Sequence, residues 1–132
     1  MFEGLDQLLG LDVIESSPQR MRARLAVKDK LKQPFGLVHG GVYAAVAESL
    51  ASIGTALAAA PDGKHATGMA NNTTFMRPIL EGTIHAVALP RHRRRNTWVW
   101  DVELRNDAEQ LCAASRVTIA VREPGPSRES GS

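Results

Sequence analysis

The sequence predicts an α+β fold in which a mostly antiparallel sheet wraps around one long helix. Three observations predict it. Residues Val42–Ala60 have the apolar spacing of a helix, the periodicity changes to two after this helix, and turn signals separate the strands that follow. One or two further strands precede the helix. A single long helix combined with consecutive strands is typical of this fold class.

Length and composition are those of one globular domain. The chain has 132 residues, of which 43% are hydrophobic and 23% charged, and this is enough for a buried core. Because the net charge is only +2, the protein as a whole is not a polycation of the kind that binds nucleic acid. We expect the domain to span residues 1–122 and the tail 123–132, which has no large apolar residue, to be disordered.

The first part of the chain predicts one short helix and two strands. Met1–Leu9 is expected to form an amphipathic helix that ends at Gly10. Leu11–Glu15 and Met21–Val27 follow as strands, joined by a turn at residues 16–18. The N-terminus lacks the basic region and the long apolar core of a secretory signal, so a cytoplasmic protein is expected.

The central helix is predicted to be apolar nearly all round and therefore buried. Its large apolar residues share one face: Val42, Val46, Ile53 and Leu57. Alanines fill most of the remaining circumference. Glycines at 40 and 41 favour a start near Gly40, and Pro61-Asp62-Gly63 supplies the stop. A membrane-spanning helix is disfavoured, because polar residues lie at its middle and no aromatic belt flanks it.

Strands are predicted after the helix wherever apolar residues alternate with polar ones. The expected strands are His65–Met76, Thr83–Leu89, Thr97–Leu104 and Leu111–Val121. The last of them contains the single cysteine, Cys112, which is expected to be a small buried side chain. No cluster of Cys and His accompanies it, so neither a zinc site nor any other metal site is expected.

Glu48 is the one carboxylate of the helix. An uncompensated buried carboxylate is costly, so a lone glutamate among apolar residues marks a candidate site. The alternative is a structural carboxylate that a neighbour satisfies. Two turns earlier, the N–H groups at the start of the helix have no intrahelical partner and can hold a developing oxyanion, and glycine there admits a substrate carbonyl.

Arg91–Arg95, interrupted only by His92, is the one basic run. It is either a solvated hairpin turn or a binding site for phosphate, which arginine binds through its planar fork. Nucleic acid is disfavoured, because such a partner needs a wider basic face with interleaved aromatic residues.

The order of these residues resembles that of the hotdog-fold acyl-CoA thioesterases, in the branch of the phenylacetate-pathway and 4-hydroxybenzoyl-CoA thioesterases. The resemblance rests on Gln33-Pro34, on His39-Gly40-Gly41, on Glu48 nine positions after His39, and on Ser52 one turn later. It covers residues 9–121, and its further matches lie at Asn72, Arg77-Pro78 and residues 90–95, 97–100 and 115–118. Glu48, where many phenylacetate-type members have Asp, favours the hydroxybenzoyl and dihydroxynaphthoyl relatives.

The resemblance implies hydrolysis of an acyl-CoA thioester, with an aryl or related acyl group. The N–H of Gly40 would polarise the thioester carbonyl and Gln33 would orient it. Glu48 would be the nucleophile or the general base for water, which Ser52 would position. His39 would either contact the thioester or hold the loop. The remaining implied contacts to substrate or CoA are those of Gly41, Asn72, His92, Arg93, Arg95 and Thr97.

The resemblance also implies partners. The carboxylate would face the Gln and Gly of a second subunit, so a homodimer would form the site and two dimers would form a homotetramer. CoA would enter only as part of the substrate, and no cofactor is expected. The alternatives are a non-catalytic module that binds acyl-CoA or aromatic ligands, and a hotdog dehydratase. Arg94 stands where related enzymes often have Gly, which leaves the backbone of that turn open.

Overall fold

One antiparallel sheet forms the framework of the molecule. The computed structural model describes residues 4–124, so most of the predicted tail lies outside the described residues. The sheet has six strands in the order β1-β2-β4-β5-β6-β3. The strands are β1 Asp12–Ser17, β2 Arg20–Ala26, β3 His65–Phe75, β4 Thr83–Arg93, β5 Thr97–Arg105 and β6 Leu111–Arg122. The helices are α1 Leu5–Leu9 and α2 Gly40–Ala59, which confirms the predicted fold class.

One side of α2 forms the core with the sheet. Val42, Val46 and Leu50 follow one another at four-residue intervals and are almost completely buried. Trp100, Met21 and Cys112 lie under them on the strands, and each is fully buried, as expected for Cys112. Although α2 is long and apolar enough to span a membrane, it packs here as the core helix of an α+β domain.

The expectation that α2 is buried all round is wrong. Leu57 is 42% exposed, Ile53 is only partly buried and Glu48 is exposed. The reason is geometric, because the sheet packs against one side of the helix, whereas the short α1 covers only a small part of the other. Glu48 is therefore not a buried carboxylate within this chain.

Strand β4 continues four residues past its predicted end at Leu89. Proline lacks the N–H of a sheet ladder and is found at edges and bulges, which is why Pro90 predicts an end. Here the pairing register of β4 with β5 shifts between Pro90 and His92, and the strand resumes to Arg93. Most of the arginine tract, Arg91–Arg95, is consequently strand rather than turn.

Strand β3 lies at one edge of the sheet and pairs only with β6 among the described strands. Its register is irregular between Gly68 and Ala70. Two large apolar side chains on this strand are more than half exposed, Met69 at 57% and Phe75 at 58%. An open edge with exposed apolar side chains is a surface that favours pairing with another chain.

A buried hydrogen bond ties α2 to the sheet and supplies a test of the fold. The indole N–H of Trp100 donates to Thr55 Oγ1 at 2.8 Å, and both residues are fully buried. We expect Thr55→Val, which preserves shape but removes the acceptor, to lower the free energy of unfolding in urea by about 1–3 kcal/mol. Thr55→Ser keeps the hydroxyl and is the matched control. An unfolding free energy of Thr55→Val equal to that of the parent would show that the hydrogen bond does not stabilise the fold.

Candidate active site

The N-terminus of α2 is held by the side chain of His39. Its Nδ1 accepts the Gly41 N–H at 2.8 Å, and the His39 backbone N–H donates to the carbonyl of Leu31 at 2.9 Å. His39 is thus the N-cap of the helix. This geometry supports the expectation that His39 holds the loop. Because the Gly41 N–H donates to His39, it is not available to a substrate.

Gly40 leaves its N–H free at the first position of α2. Within residues 4–124 no acceptor receives it. A Cβ at this position would lie 2.7 Å from the ring of Phe75, so the backbone reaches this ring only because the residue is glycine. The N–H lies at the positive end of a 20-residue helix, where it can stabilise an oxygen that acquires negative charge.

A cavity of about 400 Å³, here called the Gln33 cavity, adjoins this N–H. Its lining includes Gln33, Val38, Gly40, Tyr43, Phe75 and Arg77. Gln33 Oε1 accepts a hydrogen bond from the backbone N–H of Phe35. The side-chain N–H groups of Gln33 have no acceptor among the described residues. The cavity therefore combines apolar walls with donors from Gly40 and Gln33, a combination that suits a carbonyl group.

Tyr43 contributes a neutral wall to the same cavity. Its side chain is buried, and its hydroxyl has no hydrogen-bond partner among the described residues. Burial raises the pKa of Tyr43, so the phenol stays protonated. Burial likewise raises the pKa of the Cys112 thiol, which makes this cysteine an unreactive core residue rather than a nucleophile.

Glu48 lies in a second cavity on the other side of α2. This groove of about 500 Å³, the Glu48 groove, is lined by residues that include Leu5, Asp6, Ala45, Glu48, Ser52 and Asn71. A Cβ on Gly68 of β3 would stand 3.1 Å from Glu48 Oε2, so the carboxylate lies directly over this glycine. Within the described residues Glu48 makes no hydrogen bond or ion pair, which leaves its oxygens available to water or a substrate.

Ser52 lines the Glu48 groove one helical turn after Glu48, as expected. The asparagine in the groove is Asn71, whose Nδ2 donates to the carbonyl of Ala44 at 2.9 Å. Asn72 is exposed and points to the opposite face of β3, because successive side chains of a strand alternate. This chain therefore does not bring Asn72 to either cavity.

Gly40 and Glu48 do not meet within one chain. They are separated by eight positions on α2, roughly 12 Å along the helix axis, and they line different cavities. Thus Gln33 and Gly40 lie together, Glu48 and Ser52 lie together, and the chain keeps the two pairs apart.

The arginine tract lies near the C-terminal end of α2. Arg94 and Arg95 border a cavity of about 210 Å³ with Ala59 and Trp98. The Arg93 guanidinium lies 5.5 Å from the centre of the Trp98 ring, which fixes its position by a cation–π contact. Arg95 and Thr97 line an adjacent open depression of about 600 Å³. Among residues 4–124, Arg93, Arg94 and Arg95 have no carboxylate partner, so these three arginines form a positive surface.

Arg94 closes the turn without backbone strain. Its N–H donates to the carbonyl of Thr97 at 2.9 Å, and its Nε donates to His92 Nε2 at 2.6 Å. Its φ is negative, since Glu109 is the one non-glycine residue with a positive φ in the described part of the chain. The turn therefore does not require the glycine that relatives often have there.

Residues 35–113 match the sequence profile of the thioesterase superfamily. The chain belongs to this family. Among solved structures, a protein of Mycobacterium tuberculosis superposes on this thioesterase with a TM-score of 0.87 at 38% identity, over 92% of this chain and 98% of the other. The 1,4-dihydroxy-2-naphthoyl-CoA hydrolase of Listeria monocytogenes is 34% identical over 90% of this chain and 96% of its own. The family match and this relative together identify the protein as a thioester hydrolase.

Two crystal structures of a Staphylococcus aureus protein bear on the site of this thioesterase. One is of a variant in which a glutamate is replaced by alanine, and it matches at 30% identity, a TM-score of 0.87, and 90% and 98% coverage of the two chains. The other, of the thioesterase enzyme with a glutamine replaced by alanine, matches at 29% identity and a TM-score of 0.85, covering 89% and 97%. The two replaced positions are 15 residues apart, as are Gln33 and Glu48 here.

Sequence reasoning missed several residues that border the two cavities. Phe75 and Tyr43 line the Gln33 cavity, and Asp6 and Asn71 line the Glu48 groove. The only signal for Asn71 was its place beside Asn72 in a strand, since alternation assigns neighbours to opposite faces. For Asp6 there was no signal, because its partner in the fold lies 43 residues away.

Proposed function

We propose that this thioesterase hydrolyses an aryl acyl-CoA thioester to the free acid and CoA, with Glu48 as nucleophile or general base. The match in spacing between Gln33 and Glu48 and the two alanine-substituted positions of the S. aureus enzyme carries the proposal. Within residues 4–124, the same pair consists of an amide whose N–H groups have no acceptor and a carboxylate that has no partner.

The proposed chemistry divides between the two cavities. Donors from Gly40 and Gln33 stabilise the negative charge that develops on the thioester oxygen. Glu48 either attacks the carbonyl carbon or takes a proton from the water that attacks it, and the CoA thiolate leaves. Ser52 positions that water. The net reaction adds one water across the bond from carbonyl carbon to sulfur.

An aryl acyl group is supported by the groove and by the relatives. Leu5, Ala44, Ala45 and Ile53 give the Glu48 groove an apolar lining that suits a ring. The curated relatives include two enzymes called 1,4-dihydroxy-2-naphthoyl-CoA hydrolase, from Listeria monocytogenes and Escherichia coli. A non-catalytic binding module would use the same cavities, but it would not depend on the Glu48 carboxylate.

The complete site is proposed to form between two chains. Large apolar side chains are exposed in the single chain on the loop after Gln33, in the Gln33 cavity and on the edge strand β3: Phe35 at 87%, Phe75 at 58%, Met69 at 57% and Met76 at 49%. Pairing along β3 would cover such a surface and bring the Gln33 cavity of one protomer to the Glu48 groove of its partner. The dimer of dimers, the cytoplasmic location and the absence of a cofactor stay predictions.

The arginine tract is proposed to bind the CoA phosphates. It lies roughly 16 Å along the α2 axis from Glu48, a distance that the long pantetheine arm can cover. We expect Arg93→Ala with Arg95→Ala to raise KM for CoA thioesters about tenfold or more, because phosphate contacts are lost. KM for a short thioester without the nucleotide should stay nearly constant. Steady-state kinetics with both substrates make the comparison.

Salt supplies a control for the same assignment. Raising ionic strength screens exposed charge pairs over about 10 Å at 0.1 M, so the difference between parent and variant should shrink. Arg20→Ala on β2, whose guanidinium pairs with Glu15, is a matched control away from the cavities. An equal rise in KM for both substrates would show that the tract supports the hairpin instead.

A further inference from the structure

The inner end of the Glu48 groove contains a second carboxylate, from Asp6 of α1. Asp6 Oδ1 accepts a hydrogen bond from the hydroxyl of Ser49 on α2. This bond joins residues 43 positions apart and holds the half-buried Asp6 beside the groove. Asp6 and Ser49 both line the groove next to Glu48 and Ser52.

The bond to Ser49 leaves Asp6 Oδ2 without a partner among residues 4–124. A carboxylate can accept about four hydrogen bonds, so most of its capacity is free. The apolar part of the lining comes from Leu5 on α1 and from Ala44, Ala45 and Ile53 on α2. A fixed acceptor beside such apolar walls can select a ligand by one polar group.

We propose that Asp6 is a specificity-determining residue that accepts a hydrogen bond from a hydroxyl group on the acyl part of the substrate. This inference rests on the proposed function, since the acyl group must enter the Glu48 groove. A hydroxyl satisfies the free oxygen of Asp6, whereas an unsubstituted ring leaves it without a partner. An acyl group that carries its own carboxylate meets two like charges, Asp6 and Glu48, and is disfavoured.

Substrate competition tests the hydroxyl contact. The ratio of kcat/KM for the best of the three monohydroxybenzoyl-CoA isomers to that for benzoyl-CoA should be about tenfold or more in the parent, as expected for one charge-assisted hydrogen bond. Asp6→Ala should reduce this ratio to within about twofold of unity. Ser49→Ala, which frees Asp6 to move, should lower it as well. Gln7→Ala, on an exposed neighbour in α1 that lines neither cavity, should leave it unchanged.

Asp6→Asn separates charge from shape. The amide oxygen can still accept the Ser49 hydroxyl, so α1 stays in place, but the negative charge is gone. We expect kcat/KM for 4-carboxybenzoyl-CoA, relative to benzoyl-CoA, to rise about tenfold in this variant. A purely structural role of Asp6 would change kcat/KM for all these substrates by the same factor and would overturn the proposal. An unchanged hydroxyl preference in Asp6→Ala would also overturn it.

Binding measurements keep this test independent of catalysis. In calorimetric titrations, the Glu48→Gln variant should bind hydroxybenzoyl-CoA with a lower Kd than benzoyl-CoA. The double variant Glu48→Gln, Asp6→Ala should bind the two thioesters with similar Kd. A parent that binds these thioesters but does not hydrolyse them would contradict the proposed function, and the two Kd ratios would still decide the role of Asp6.

Discussion

Replacing Glu48 with glutamine is expected to lower kcat for CoA thioesters by about a thousandfold or more. Glutamine has the same shape, but it neither attacks a carbonyl carbon nor takes a proton from water at neutral pH. Because Glu48 is exposed and makes no hydrogen bond or ion pair within residues 4–124, the free energy of unfolding should change by less than about 0.5 kcal/mol. Released CoA, followed with a thiol reagent, measures the rate.

Glu81→Gln is the matched control for Glu48→Gln. Glu81 is an exposed glutamate in the connection between β3 and β4 and lines neither cavity. Its replacement removes the same charge and should leave kcat unchanged. If Glu48→Gln retained kcat within a few-fold of the parent, the carboxylate would have no chemical role, and the proposed mechanism would be wrong.

Mixing two inactive variants should restore activity. Gln33→Ala lacks one carbonyl donor and Glu48→Ala lacks the carboxylate, so each homodimer has only defective sites. In a heterodimer, one of the two sites receives both intact halves. After dissociation and reassociation at equal concentrations, we expect about a quarter of the parental specific activity. Gln33→Ala is a cleaner partner than a change at Gly40, where any side chain would collide with Phe75.

A second mixture distinguishes a shared site from a site within one chain. The double variant Gln33→Ala, Glu48→Ala cannot complete any site of a heterodimer with the parent. An equal mixture should therefore retain about a quarter of the parental activity, from parental homodimers alone. A site within one chain would retain about half, and the first mixture would then show no recovery.

Local patterns predicted the elements of this fold well. The start of α2 at Gly40 followed from the glycines at 40 and 41, which is a signal from near neighbours in the chain. The alternation Trp98, Trp100, Val102 and Leu104 correctly placed one face of β5 against the helix. The predicted end of β4 at Leu89 was wrong, because an irregular register with β5 accommodates Pro90 and the strand continues to Arg93.

Long-range contacts could not be predicted from such patterns. The exposure of Glu48 depends on how far the sheet and α1 extend around α2, and residue spacing does not contain that information. The Thr55–Trp100 and Asp6–Ser49 hydrogen bonds join residues 45 and 43 positions apart, so neither has a local signal. Glu48 and the start of α2 were singled out from the residues themselves, whereas the other candidate residues came from the family resemblance, and all their roles stay predictions.

The separation of the Gln33 cavity from the Glu48 groove has a kinetic consequence. When each site takes one half from each of two chains, its concentration in dilute solution grows with the square of the protein concentration. The initial rate is then second order in enzyme at high dilution and becomes first order once the chains are associated. For the proposed shared site, specific activity would report the degree of assembly, and newly made chains would be inactive until they associate.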